Sequence, residues 1–277
     1  MTSTILTSEA QGAAAGRGRL DDRRVLVVGG GTRPSKDGES SVGNGRAIAV
    51  LAAREGAHVA VADVSLDSAQ ATVDLIYAEG REAFAVECDV RDETSCNTAV
   101  AASADRLGGL DGVVLNVGIA VGGGVVDTTT AEWDDAFAVN ARGHFQITRA
   151  ALPLLARGSS LVYISSTAGQ IPSFVASYDA SKGAVEALAR QVASLHAPDG
   201  VRANVVSPHA VDTPLGRFYA EQAGLEDLTD LGLPMGRSGT PWEVAYAALF
   251  LLSNESSYTS GQVLFVDGAF MLNGAHR

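Results

Sequence analysis

The chain has 277 residues, 46% of them apolar, and its 20 Lys+Arg against 32 Asp+Glu give a formal net charge of −12. That length suits one α/β domain with a large core, while so acidic a surface is repelled by nucleic acid and by anionic membranes. No apolar run approaches the roughly 18 residues of a bilayer span; the longest, Val244 to Leu252, has nine.

Residues 1–20 are a Ser/Thr/Ala/Gly stretch with Arg17 and Arg19, lacking the charged start and apolar block of a secretory signal. Residues 1–22 are therefore expected as a disordered tail on a cytoplasmic protein. From Arg24 onward, short apolar runs alternate with helical patterns, which signals a parallel sheet covered on both faces. Strands are expected at Val25–Val28, Val59–Asp63, Ala83–Cys88, Gly112–Asn116, Leu161–Ser165, Arg202–Val206 and Val263–Val266. Helices are expected near 44–55, 67–79, 93–107, 130–156, 178–196 and 241–252. Cys88 and Cys96 have no metal-ligand spacing and read as reduced packing residues. No repeat or interdomain linker interrupts the pattern, so residues 23–277 read as a single doubly wound α/β domain of about seven parallel strands.

Two places carry chemistry. Gly29-Gly30-Gly31 follows the first strand, and Gly43-Asn44-Gly45 opens the first helix. Glycines there let backbone N–H groups approach a pyrophosphate at the helix N-terminus. The second strand ends in Asp63, 18 residues after Gly45. A carboxylate at that point accepts hydrogen bonds from the adenine ribose and repels a 2′-phosphate, which favours NAD over NADP.

The second place is Tyr178 and Lys182. Lysine occurs only here and at Lys36, so a position that keeps it needs a compact ammonium rather than the arginine fork. At i, i+4 on a helix the two side chains share a face. The ammonium is expected to lower the phenol's pKa from about 10 and favour phenolate.

Together with Asn116-Val117-Gly118, Asn140, Ser165-Ser166, Tyr178-Asp-Ala-Ser-Lys182 and Pro208 to Thr213, these residues resemble the short-chain dehydrogenase/reductase family, in family order from about Arg23 to Gly268. The resemblance implies a nicotinamide cofactor on a Rossmann-type sheet and an Asn/Ser/Tyr/Lys tetrad of Asn140, Ser166, Tyr178 and Lys182. It places Asn116 and Gly118 in the motif after the fourth strand, Asp89 and Val90 against adenine, and Val211 and Thr213 beside the nicotinamide carboxamide. Asn140 would be a break in a long helix that holds a water in a proton relay to Lys182, which also binds the nicotinamide ribose.

The chain departs from the family at three points. Twelve residues separate Gly30 from Gly43, an insertion centred on Pro34–Ser41 that reads either as a flap near the adenosine or as a surface loop. The usual spacing before the tyrosine points to Ser165 as catalytic serine, whereas the Ser-x-x-Gly context with Gly169 points to Ser166, which is favoured. His209 replaces a glycine and reads as a pocket wall or cap, with a titrating role as the alternative.

The expected activity is hydride transfer between NAD(H) and a neutral secondary alcohol or ketone, with Tyr178 as general acid/base and no metal. Phe174, Val175, His209, Phe218 and Tyr219 are the expected pocket walls, under a mobile lid at 214–240. The alternatives are an NADP-dependent carbonyl reductase of 3-oxoacyl type, with Arg33 on the 2′-phosphate, and a non-catalytic nucleotide sensor. The apolar last strand and the surfaces of helices 130–156 and 178–196 lead to an expected homotetramer.

Overall fold

Short Val/Leu/Ala runs that are apolar on both faces make strands rather than amphipathic helices. In the computed structural model, which describes residues 6–33 and 42–273, they form β1 (Arg24–Val28), β2 (His58–Asp63), β3 (Ala83–Glu87), β4 (Leu110–Leu115), β5 (Leu155–Ile164), β6 (Arg202–Pro208) and β7 (Val263–Val266). All pair in parallel, in the order β3-β2-β1-β4-β5-β6-β7. The helices are α1 (Asn44–Arg54), α2 (Leu66–Ala78), α3 (Glu93–Leu107), α4 (Thr130–Phe137), α5 (Gly143–Ala151), α6 (Ala176–His196), α7 (Pro214–Gln222), α8 (Pro241–Leu252) and α9 (Phe270–Asn273).

The period-2 alternation of the strands splits the core in two. Val25, Val27, Val59 and Val61 pack with Leu51, Ile76 and Leu249 of α1, α2 and α8. Leu26, Val28, Ala60 and Val113 pack with Val100, Ile147 and Val185 of α3, α5 and α6 on the other face. The chain winds outward from β1 to β3, returns to β4 and winds outward again to β7. Val28 and Leu115 therefore lie side by side at the carboxyl ends of β1 and β4, the point of reversal where a ligand crevice opens.

Four expectations need correction or restriction. The described part of the expected tail, residues 6–22, is packed. Leu20 is fully buried in the α1/α8 layer. The buried Glu55 carboxylate accepts from the Arg17 and Arg19 amides at 2.8 and 3.1 Å, and Thr240 Oγ1 donates to Ala10 O at 2.7 Å. A small-residue composition hid these backbone anchors. The expected helix 130–156 is broken by a π turn at Ala138–Arg142 and ends before Pro153, with β5 starting at Leu155. β7 is not buried on both faces: it is the sheet's edge strand, and Leu264 is 37% exposed. The insertion Pro34–Ser41 lies outside the described residues. No helix among the described residues is long and apolar enough to cross a membrane.

Candidate active site

Tyr178 and Lys182 lie one turn apart on α6, both buried. Lys182 Nζ donates to Ile164 O at the end of β5, 2.9 Å away, and sits 5.5 Å from the centre of the Tyr178 ring. The Ser166 hydroxyl lies close enough to the phenol to bear on its proton, and its Oγ accepts from Ala168 N at 3.2 Å. Ser165, one residue earlier, points the other way as strand alternation demands. Its hydroxyl is 3.3 Å from both Lys182 O and the Glu186 carboxylate. Of the two serines, Ser166 is the one brought to the phenol.

Asn140 sits in the π turn, a rare local widening that recurs at functional sites. Its side chain accepts from Ile119 N and donates to Ile119 O, both at 2.8 Å, and donates to Ser181 Oγ at 2.9 Å. It thereby ties the loop after β4 to α6. A Cβ on Gly118 would lie 3.3 Å from Lys182 Nζ and 3.8 Å from Asn140 Oδ1, so these three residues meet at one point.

Protonation differs from the sequence expectation. Burial raises the Tyr178 phenol to about 12 against the opposing, lowering influence of the Ser166 hydroxyl. Burial also lowers the Lys182 ammonium to about 8. The expectation weighed only the attraction between the pair; with both groups out of water, the cost of desolvating phenolate outweighs it. The resting phenol is thus held protonated.

The crevice between β1 and β4 has the features of a phosphate cradle. α1 begins at Gly43 without a side-chain cap, leaving its first N–H groups available. Gly45 has no room for a side chain: a Cβ would lie 1.9 Å from Gly29 O and 2.5 Å from Asn116 Nδ2. Asn116 Nδ2 donates to Gly29 O at 2.8 Å, which clips the end of β4 to the glycine loop. Gly30 N bonds Ala62 O, placing that loop against the end of β2. Thr32 Oγ1 and Asn44 Oδ1 are buried with no partner among the described residues. An uncapped helix start flanked by unpaired polar atoms fits a dinucleotide's pyrophosphate.

Asp63 borders this cradle at the end of β2, accepting from Gly31 N at 3.0 Å and Ser65 N at 3.1 Å. Asp89 and Val90 follow β3. The Asp89 carboxylate accepts from Arg91 N at 2.9 Å, while the Val90 side chain is buried against the start of α5 at Gly143. Any adenine contact from Val90 would therefore come from its backbone. Val211 and Thr213 are buried beside the cavity described next, with Thr213 capping α7 through Gly216 N at 3.0 Å. The Arg33 guanidinium stacks over Phe218, 5.5 Å from the ring centre.

A cavity of about 320 Å³ opens beside Tyr178 and Ser166. Its apolar wall includes Ile171, Phe174, Leu215, Leu228, Leu231 and Phe270, and no Asp, Glu, Lys or Arg lines it among the described residues. Of the expected walls, Phe174, His209 and Tyr219 line it. Val175 packs with Tyr178 and Ala168 beneath it, and Phe218 is turned to Arg33. Sequence reasoning missed Leu215, Leu228 and Leu231 of the 214–240 segment, Phe270 and Thr167, because the short helices and turns that carry them have too few positions for a period to mark the inward face. It also missed Arg46, a buried cation on α1 close enough to Asp63 to interact and bonded to Thr72 Oγ1 at 3.0 Å. Its place directly after Gly45 was the available signal.

The family profile described as Enoyl-(Acyl carrier protein) reductase matches residues 39–270. The 2-(R)-hydroxypropyl-CoM dehydrogenase of Xanthobacter autotrophicus is 34% identical, covering 89% of this chain and 98% of its own. The cyclopentanol dehydrogenase of a Comamonas species is 34% identical over 92% of this chain and 100% of its own. Among solved structures, a short-chain type dehydrogenase/reductase from Mycobacterium marinum matches with a TM-score of 0.82 and 30% identity, covering 91% of this chain and 96% of that one.

Proposed function

The chain belongs to the short-chain dehydrogenase/reductase family, and on that premise we propose that it transfers hydride between NAD(H) and a neutral secondary alcohol or ketone. The observation that carries this reading is the buried Tyr178, beside Ser166 and backed by Lys182, at the edge of a cavity lined by no charged side chain among the described residues. An anionic substrate group would meet no cation there, whereas an apolar alcohol would be well accommodated.

The nicotinamide, when bound, supplies or accepts the hydride. Tyr178 donates the proton to a carbonyl oxygen and takes it back from an alcohol. A phenol held protonated at neutral pH suits donation, so the resting site is set for reduction. Ser166 hydrogen-bonds the reacting oxygen as its charge changes. Lys182 holds positive charge beside the phenol and has N–H groups beyond the one given to Ile164 O for the nicotinamide ribose. Asn140, through Ile119 and Ser181, holds the loop and helix that frame the Lys182 ammonium. Gly30, Gly43, Asn44, Gly45, Asn116 and Gly118 would line the dinucleotide's path.

NAD preference rests on Asp63. Arg46 beside it is the observation that favours a second reading, NADP with the 2′-phosphate drawn to that cation. A homotetramer is supported by the exposed Leu264 on the edge strand and by exposed Trp133, Phe145 and Leu195 on α4, α5 and α6. The function is tested by screening secondary alcohols and ketones with NAD(H) and NADP(H), read as absorbance of the reduced nicotinamide. Turnover of neutral substrates with NAD(H) is expected; activity confined to anionic or carrier-linked substrates would refute the reading.

A further inference from the structure

Two polar atoms in the wall of the substrate cavity have no hydrogen-bond partner among the described residues, although both are buried: His209 Nε2 and Tyr219 Oη. Buried polar groups are nearly always paired, so two unpaired ones on residues that line the same cavity mark hydrogen bonds that a ligand completes. Neither the phosphate cradle nor the proton-transfer group accounts for them.

Both are held in place. His209 Nδ1 is 2.8 Å from Thr167 Oγ1, and its ring stacks on Phe270 with centres 3.7 Å apart and planes 17° apart. The ring is fixed on two sides, leaving Nε2 as its free end. Tyr219 comes from α7 in the lid, and its ring lies 5.4 Å from that of Tyr178. Its hydroxyl is therefore presented close to the reacting position. Burial keeps His209 neutral and keeps the Tyr219 proton on its oxygen. Neutral imidazole and phenol bond uncharged oxygens, and either tautomer of His209 suits a hydroxyl, which both donates and accepts.

We propose that His209 and Tyr219 form a specificity subsite for a second oxygen function, so that the preferred substrates are ketones carrying a further hydroxyl or carbonyl group. This deepens the proposed alcohol/ketone chemistry and rests on it. A site built to bond a substrate oxygen discriminates strongly against the analogue lacking it, because its own polar groups are then left buried and unpaired. The one-residue departure from the family's usual glycine, to His209, supplies half of the subsite; the lid supplies the other half.

The test compares kcat/KM for cyclohexanone with that for 2-, 3- and 4-hydroxycyclohexanone and cyclohexane-1,4-dione on the full chain. At least one oxygenated member should exceed cyclohexanone by about tenfold or more, the effect of one well-made buried hydrogen bond. That ratio should fall about tenfold in Tyr219→Phe and in His209→Ala, and recover in part in His209→Gln, which restores a polar end. A merely structural role would lower all substrates together and leave the ratio where it was. A parent ratio near one, or a ratio unmoved in both variants, would overturn the subsite. If no ketone or alcohol is turned over with either cofactor, the proposed function fails. Calorimetric affinities for cyclohexanediols against cyclohexanol, on parent and variants, then read the same ratio: a preference for the diols lost in both variants upholds the subsite, and equal affinities overturn it.

Discussion

The two ends of the crevice are built from different materials. At the β1–α1 end the surface is backbone: an uncapped helix start, a glycine loop and Gly45 pressed within 1.9 Å (as a would-be Cβ) of Gly29 O. At the α6–α7 end it is side chain: Tyr178, Ser166, His209 and Tyr219 against the leucines of the lid. A backbone surface binds what every dinucleotide shares and tolerates almost no substitution. A side-chain surface can change its substrate one residue at a time, and the subsite proposed for His209 would be one such change.

Substitutions should separate the two ends. Tyr178→Phe should lower turnover by about 10²- to 10⁴-fold, the usual contribution of a general acid, with cofactor affinity nearly unchanged. Turnover within about tenfold of the parent would remove Tyr178 from the proton path. Gly45→Ala should act at the other end, costing about 3 kcal/mol or more of stability or cofactor binding because backbone must move. Thermal melts and cofactor titration would show it; an unaffected variant would mean the loop yields easily.

The pH dependence of ketone reduction reports on the buried pair. Lys182 titrates at about 8 and Tyr178 at about 12. As pH rises through 8 the ammonium loses its proton while the phenol keeps its own. Reductive kcat/KM should therefore fall above about pH 8, approaching tenfold per unit. A flat profile to pH 10 would show that the Lys182 charge is not needed. A smaller effect belongs to Asp63→Ala, which should narrow the preference for NAD over NADP by about tenfold, mainly by weakening NAD. Equal use of both cofactors by the parent would instead point to Arg46 as a phosphate partner. Smallest is Ser165→Ala, which should cost less activity than Ser166→Ala because Ser165 bonds α6 and Glu186 rather than the phenol.

The backbone-built end was the more legible in the sequence. Strand positions follow from β-branched runs, and Gly43 and Gly45 announce a close approach without any side-chain detail. The Tyr178/Lys182 pair was legible for the same reason, since i, i+4 spacing on a helix fixes geometry locally. What failed depended on tertiary context. The packing of residues 6–22 rests on Glu55 and Trp242, far along the chain, with Trp242 stacked under Arg54 at 5.3 Å. The break at Asn140 gave a weak signal, a poor helix former in a helical run, but its tie to Ile119, 21 residues earlier, is a tertiary contact that spacing does not show. The raised phenol pKa is a burial effect, which no spacing reveals. The inward face of 214–240 was illegible because its helical pieces, α7 and a 3-10 turn at Leu228–Leu231, are short and separated by irregular turns, leaving too few positions for a period to sort inside from outside.

Direct hydride transfer in this cavity can be followed by isotope tracing. With cyclohexanone and NADH deuterated at the transferring C4 position, the product should be cyclohexanol with one deuterium on the carbinol carbon. With unlabelled NADH in heavy water, no deuterium should appear on that carbon, because the Tyr178 proton goes to oxygen. Carbinol deuterium taken from water, or none taken from the labelled cofactor, would contradict direct transfer.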